Sequence, residues 1–308
     1  HQTGSPSISN NAITANSGSG VVVFDSAAPI LRQNTITSNT VDGVVAVTGR
    51  IMENLLSILG PIEVPDSGKI VTSENFMELT QSAVEVEYDK VANRPKAFLQ
   101  DLFDALSVKL VSMSQEEKIR VLMSALQGLA KKDLQIFSRD GRVAEALDAL
   151  DWTGKLKDAP SDYLLLVSSN IGGGKTDGAI DQHIDKTTRI RADGTLSSTV
   201  RITLAHRGDP QNFWTRKRNI SYLRLYVPEG STLTSASGFT APPEYLFSAP
   251  SGALTQDADV RSIERSSTVG SAGTSVMLET RKTVFGNWIQ IDPGQTKAFE
   301  FSYDLPRG

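Results

Sequence analysis

The chain has 308 residues and no cysteine. This excludes a disulfide framework, thiolate metal sites and a cysteine nucleophile, and it fits either a reducing cytosol or an exported bacterial protein that avoids thiols. Histidine is scarce too, at three residues. No run of 18 apolar residues occurs, so no segment of this sequence is long enough to span a bilayer as a helix. Blocks of like charge are also missing. Lys and Arg number 31 against 35 Asp and Glu, for a formal charge of −4, so nothing advertises a nucleic-acid partner. The densest basic spot, Arg216-Lys217-Arg218, reads as a solvated turn. The sequence has no G-x-S-x-G elbow, and its serines are scattered through loops, so no catalytic residue is assigned. It opens at His1 with neither methionine nor signal peptide, which reads as a fragment or processed form with room for a membrane anchor upstream.

What is present is a hydrophobic fraction of 39% and a charged fraction of 21%, enough for a buried core. The length suggests two or three domains. Residues 1–49 hold an internal repeat: Pro6 to Asn16 aligns with Pro29 to Asn39 at an offset of 23 residues, and Gly20-Val21 aligns with Gly43-Val44. Short β-prone triplets between Asn and Gly at this period predict two coils of a right-handed parallel β-helix over residues 4–49, with Asn11 stacked over Asn34. Two coils bury little by themselves, so the stretch is either the end of a longer solenoid or docks on the next part of the chain.

From residue 50 the periodicity turns helical. Ile51, Leu55 and Leu59 predict one face of a short helix ended by Gly60, with Pro61 behind it. Residues 61–65 read as a strand and 66–69 as a turn. Ser73 is an expected N-cap for a helix to about Val86. Pro95 suits the first turn of a helix over AFLQDLFDALSVKLV, and Ser114 with Glu117 forms a capping box for the next. Ile119, Leu122, Met123, Leu126 and Leu129 share one face of that helix and are expected in the core. Leu134–Phe137 reads as a strand and Asp140–Leu150 as a helix.

The C-terminal half alternates with period two. Val200, Ile202 and Leu204 form one face and Arg201 and Thr203 the other, while Asp193-Gly194 predicts a hairpin turn. Residues 221–230, 284–291 and 299–303 repeat the pattern. Residues 234–275, rich in Ser, Gly, Ala and Thr, are expected to form a long, partly mobile loop. The fold class expected is therefore α+β: a short parallel β-helix-like segment (1–49), a helix-dominated region (50–157) and a β-sandwich-like domain (158–308).

The Gly172-Gly173-Gly174-Lys175-Thr176 turn imitates a phosphate loop. That motif needs G-x-x-x-x-G-K-[ST] and then a helix whose N-terminus faces the phosphates. Here the first glycine position holds Ser169, and a hairpin comes next. A tight glycine-rich turn is the better reading, and no cofactor is assigned. Asp181, His183 and Asp185 share one face of a strand with ligand-type side chains, but a solvated face explains them, and no metal is assigned. Asp257/Asp259 and Glu116/Glu117 read as exposed charges. Trp214 and Tyr222 around the basic spot have the chemistry to stack a sugar or base, or to pack at strand ends. The first candidate ligand site is the loop of Asn170, Gly172, Gly173, Gly174, Lys175 and Asp177, where three glycines expose backbone donors beside one cation.

The blocks VDGVVAVTGRIMENLLSILGPIEVP from Val41, DWTGKL at 151–156, NIGGGKTD at 170–177, YLRLYVPEGS at 222–231, KTVFGNW at 282–288 and SYDLP at 302–306 occur in an order that resembles the bacterial domain-of-unknown-function family 4012, over residues 41–308. That resemblance implies an extracytoplasmic envelope protein, usually with an upstream transmembrane helix, in genomes rich in surface-polysaccharide genes. It implies no reaction. The family's front half, with its Gln-Asn-Asn and Arg-Pro-Thr-Gly-Gly-Phe motifs, is replaced here by the coils, and VDGVVAV satisfies both patterns. The DGVVAVT and LLSILGPIEV stretches are also faintly similar to LytR-CpsA-Psr proteins, which transfer glycopolymers. The arginine- and aspartate-bearing motifs with which those enzymes hold pyrophosphate have no counterpart here. The function expected is a non-catalytic binding or structural module at the bacterial cell surface, with cell-wall or surface polysaccharide as partner. The alternatives are a relic of a glycopolymer phosphotransferase and, last, a polysaccharide-acting enzyme built on the β-helix.

Overall fold

The computed structural model describes residues 42–65, 67–87, 97–158, 162–171, 174, 176–247 and 257–306, with short strands at 8–9, 12–14, 23–24, 31–32 and 35–37. The chain forms two compact units. One takes Ile8–Ser26 and Leu31–Lys155, and the other takes Leu156–Gly308.

The first unit begins with strands of two or three residues: β1 (Ile8–Ser9), β2 (Ala12–Thr14), β3 (Val23–Phe24), β4 (Leu31–Arg32) and β5 (Thr35–Thr37). β1 pairs with β4 and β2 with β5, both parallel, with Ile8 beside Leu31 and Ile13 beside Ile36. β3 lies parallel to β6 (Gly43–Val47), with Val23 beside Ala46. Asn11 and Asn34, expected to ladder, lie outside the described residues.

α1 (Gly49–Leu59) ends where expected. Gly60 takes φ 74, a conformation that suits glycine, and its N–H bonds back to Leu56. The face it buries is Met52, Leu56 and Leu59, one residue round from the expected Ile51 and Leu55. The helix is apolar on both stripes, so periodicity alone does not choose between them. β7 (Ile62–Val64) and β8 (Lys69–Val71) close a hairpin. The next helix starts later than Ser73. The Asn75 side chain accepts from the Thr72 N–H at 2.7 Å and the Thr72 hydroxyl from the Asn75 N–H, so a turn occupies 72–75. α2 then spans Phe76–Ser82 and runs into a wide π-turn at Ala83–Glu87.

α3 (Ala97–Val111) buries Phe98, Leu102 and Leu106 at four-residue spacing; Pro95 lies outside the described residues. With residues of α1, α2, β7 and β8 these make one core. α4 (Gln115–Lys131) carries the expected capping box at Ser114 and Glu117. Its apolar stripe is not core. Ile119, Leu122, Met123 and Leu126 are 62%, 58%, 52% and 38% exposed, and of the expected five residues Leu129 alone is buried. The cause is the contact with α1: a Cβ at Gly128 would lie 2.3 Å from Ile51 Cδ1, so α4 offers α1 its small side, and Val121 on that side reaches the core. β9 (Leu134–Ser138) pairs antiparallel with β6, and α5 (Gly141–Ala149) is N-capped by Asp140.

The second unit is two facing antiparallel sheets, the sandwich expected from the alternating strands. Its elements are β10 (Leu165–Asn170), β11 (Ile180–Ile190), β12 (Leu196–His206), β13 (Asn219–Pro228), β14 (Thr232–Ser237), α6 (Ala258–Ser266), β15 (Thr268–Val269), β16 (Ser275–Glu279), β17 (Lys282–Ile291) and β18 (Thr296–Asp304). The strand orders are β10-β13-β17-β16-β15 and β11-β12-β18-β14. Val200, Ile202 and Leu204, with Phe299, Phe301 and Tyr303 beside them on the same sheet, face Leu223, Leu225, Phe285 and Ile289 of the other sheet in the core. The Asp193-Gly194 turn closes β11 on β12, with Gly194 at φ 79 and Thr195 N–H donating to the Asp193 carboxylate at 3.0 Å. β11 is an edge strand and carries Asp181, Asp185, Lys186 and Arg189, charges that discourage edge-to-edge pairing. Residues 234–275 are not simply the expected loop. β14 pairs with β18 through a bulge after Leu233, and Asp257 accepts from Val260 N–H at the start of α6.

Two buried phenols set an alkaline limit on this unit. Burial pushes Tyr303 up to about 12 and raises Tyr226 as well. Stability from such groups is complete below the unfolded phenol value near 10 and is lost as pH climbs toward the folded value. The Tyr303 hydroxyl is buried without a hydrogen bond of good geometry, although Ser198 favours its ionised form, so Tyr303→Phe should cost nothing at neutral pH and stabilise the protein by at most about 1 kcal/mol. The substitution should also flatten the loss of stability as pH rises above 10. Urea titrations at pH 7 and pH 11 measure both effects.

Candidate functional site

The expected ligand loop sits where β10 ends and β11 begins. Gly172, Gly173 and Lys175 lie outside the described residues. Around them the structure shows a side-chain network. Asn219, buried at the start of β13, donates to Thr176 Oγ1 and to Asp177 Oδ1, both at 3.1 Å. Asn170 donates to Asp177 Oδ2 at 3.1 Å, and Ser221 donates to Asn219 Oδ1 at 2.7 Å. Asn170 Oδ1 is buried without a hydrogen-bond partner. Gly174 is buried against the next segment, where a Cβ would stand 3.4 Å from the Arg218 carbonyl oxygen. After Thr176 comes one 3-10 turn at Asp177–Ala179 and then β11. The turn therefore leads into a strand and not into the helix N-terminus that a phosphate loop requires.

The segment 207–218 is held by His206 at the end of β12. His206 is buried, with Nε2 3.0 Å from the Lys217 carbonyl and Nδ1 accepting from Gly208 N–H at 3.0 Å. These partners specify the neutral tautomer with hydrogen on Nε2. Gly208 has no room for a side chain: a Cβ would lie 2.1 Å from the Thr215 carbonyl oxygen and 2.5 Å from His206 Cε1. Gly208→Ala should therefore cost about 2–4 kcal/mol, the range of overpacking and lost buried hydrogen bonds, read as a lowered denaturation midpoint. Beyond it, Phe213 packs edge-on with Trp214, ring centroids 5.0 Å apart, and Arg216 and Lys217 lie 5.2 and 5.3 Å from the Phe213 ring. Arg218 forks onto Asp292 at 2.6 and 3.0 Å, which holds that carboxyl below the usual carboxylate range. The basic spot is thus tied to aromatics and a carboxylate of its own.

Tyr222 does not join Trp214. It pairs across β13 and β17 with Trp288, ring centroids 5.0 Å apart, and Phe247 lies 5.4 Å from Trp288. Gly286 makes space for the phenol, since a Cβ there would meet Tyr222 Oη at 2.3 Å. Tyr245 and Phe247 are exposed. Gln290, next outward on β17, accepts from Arg218 Nη1 at 3.3 Å and donates to the Ala241 carbonyl at 3.1 Å. The result is a row of rings bordered by an amide and a guanidinium–carboxylate pair, on the outer face of the five-stranded sheet. The sequence offered Tyr222 as a signal, but Trp288 meets it only through the register of β13 on β17, and Phe247 reaches Trp288 from the end of the 3-10 turn at Glu244–Leu246.

Asp181, His183 and Asp185 do share the exposed face of β11. Asp181 pairs with Arg207 at 2.7 Å, and His183 Nε2 lies 3.2 Å from Asp185. Among the described residues no group of three His, Asp or Glu side chains is placed to hold a metal ion, and no helix is long and apolar enough to cross a membrane.

No curated protein matches the chain. A family model described as a protein of unknown function, DUF4012, matches residues 23–84, from β3 to the turn after α2.

Proposed function

We propose that this protein is a non-catalytic, extracytoplasmic binding or structural module of a bacterial cell envelope, associated with cell-wall or surface polysaccharide. The observation that carries the reading is the row Tyr222–Trp288–Phe247 beside Gln290 and the Arg218–Asp292 pair. Aromatic faces cover the apolar face of a sugar ring, while adjacent amides and charges bond its hydroxyls. Asn219 ties Thr176 and Asp177 of the loop to the start of β13, next to Arg218, and by sequence the same loop carries Lys175. The family model matches residues 23–84; the envelope setting is what the resemblance read in the sequence over residues 41–308 implies. The parallel strand pairs at an offset of 23 residues support reading residues 4–49 as β-helix-like coils in front of the helical region and the sandwich.

The test is a titration of the whole chain with a panel of bacterial wall glycans, monitored by tryptophan fluorescence and calorimetry. A binding glycan is expected, with Trp288→Ala weakening it about tenfold or more, since one stacked ring contributes about 1–3 kcal/mol. Trp288→Phe should retain most of the affinity. Lys175→Ala reports whether the loop takes part. Binding of pyrophosphate with Mg²⁺ but of no glycan would replace this reading with the phosphotransferase one.

A further inference from the structure

Lys282, the first residue of β17, is a buried lysine whose ammonium is poorly matched. Its side chain is 4% exposed, and its polar contacts are Asp158 Oδ1 at 3.5 Å and the Arg281 carbonyl at 3.4 Å. The Tyr163 ring lies beneath it, 4.8 Å from Nζ to the centroid. Charge-assisted bonds ordinarily close to about 2.7–2.9 Å, and Arg218 meets Asp292 at 2.6 and 3.0 Å. Glu279, cross-strand from Lys282, is occupied by Tyr226 Oη and Arg224. Lys282 is therefore left with Asp158, a 70% exposed carboxylate from the segment before β10, which also lies 3.4 Å from Arg281. An exposed carboxylate is laid loosely on two cations, one of them buried. The turn that presents them is strained as well. Thr280 and Arg281 hold φ of 49° and 57° where Asn and Gly are at ease, and strain kept in a turn points to a use for the side chains it displays.

We propose that Lys282 and Arg281 form a binding site for the carboxylate of an acidic polysaccharide, a site that Asp158 caps until the ligand displaces it. That the carboxylate belongs to a sugar rests on the polysaccharide reading above; that the site takes a carboxylate rests on Asp158 occupying it. With Asp158 displaced, two positive charges face the ligand, and the Glu279 charge stays balanced by Arg224. An ion pair as exposed as Arg281–Asp158 is weak, so displacing Asp158 costs little, whereas a buried ammonium left bare would cost much. A ligand carboxylate meets both conditions. Alternation along β17 puts Lys282 on the same outer face of the sheet as Trp288, six residues on, or about 20 Å away. A polymer of sugars crosses that distance and a single sugar does not.

The test is calorimetric titration of the whole chain with sodium glucuronate, with glucose as the uncharged control. Glucuronate should bind weakly and glucose should not. Asp158→Asn should tighten glucuronate about fivefold, the effect of removing a weak competitor carried by the chain itself. Arg281→Gly should weaken it about fivefold or more while the thermal midpoint holds or rises, because glycine accepts the positive φ. Asp158→Asn without a gain, Arg281→Gly without a loss, equal binding of glucose, or silence from glucuronate in both wild type and Asp158→Asn would each overturn the proposal. Trp288→Ala keeps the two readings apart, since it should leave single-sugar glucuronate binding unchanged. A wall glycan bound through Trp288 with glucuronate silent preserves the polysaccharide reading and sinks this one. Glucuronate bound through Arg281, in a chain that binds no glycan, does the reverse.

Discussion

Phe301→Ala is expected to destabilise the sandwich by about 3–5 kcal/mol, the range for emptying a buried phenylalanine site. Phe301 sits on the central strand β18 of the four-stranded sheet, fully buried. Its ring lies 4.5 Å from Phe239 and 6.1 Å from Phe285, which comes from the opposite sheet. Removing it therefore empties the space between the sheets and also undoes ring contacts worth about 0.5–1.5 kcal/mol beyond area. Collapse around the hole is resisted because its neighbours are anchored in two hydrogen-bonded ladders. At about 2–4 °C per kcal/mol for a unit of this size, the thermal midpoint should fall by roughly 10 °C or more. Phe301→Leu should recover more than half of the loss. An alanine variant whose calorimetric midpoint stays at the wild-type value would contradict the packing described.

The second large effect is expected at Glu279, the last residue of β16. Its carboxylate is buried, accepting from Tyr226 Oη at 2.8 Å and lying 3.4 Å from Arg224 Nη1, itself largely covered. A buried pair of this kind adds little net stability over an apolar replacement of both partners, but removing the carboxylate takes the acceptor from Tyr226 and leaves the Arg224 charge in a largely covered place with one counter-charge fewer. Glu279→Ala should cost about 3–5 kcal/mol. The paired change Glu279→Leu with Arg224→Met should cost much less than the single one. Equal losses for the single and the double would mean that Glu279 acts through the hairpin beside it. That hairpin is unusual in its own right: Thr280 and Arg281 both take positive φ, at 49° and 57°, in a two-residue turn that favours Asn and Gly. No turn signal in Glu279-Thr280-Arg281-Lys282 announces it, and the ladder on both sides imposes it.

How much was legible depended on whether the signal was local. The capping box at Ser114 and Glu117, the Gly60 stop, the Asp193-Gly194 turn and the alternation at Val200, Ile202 and Leu204 are short-range patterns, and each appears as read. Ser73 failed as a cap because Thr72 and Asn75 form a competing turn. The low-complexity look of residues 234–275 concealed β14, which owes its strand to pairing with β18, and α6, capped by Asp257. At the candidate site the polar loop was visible as Asn, Gly and Asp in a row. Asn219, which anchors it from 42 residues away, was not.

Composition and periodicity were enough to set the class of structure: a helical region and an alternating, two-sheet region, in a chain with no thiol. They sufficed because periodicity and caps act within a few residues. Which side of an amphipathic helix lies inside, and which aromatics meet, were settled by packing in three dimensions. α4 has an apolar stripe and a small-residue stripe, and the close approach of Ile51 to Gly128 puts the small one inward. Tyr222, Trp288 and Phe247 stand far apart in the chain; the register of β13 on β17 sets Tyr222 beside Trp288, and the 3-10 turn at Glu244–Leu246 brings Phe247 onto Trp288. Both outcomes are set by how backbones approach across space, a quantity no window of sequence contains.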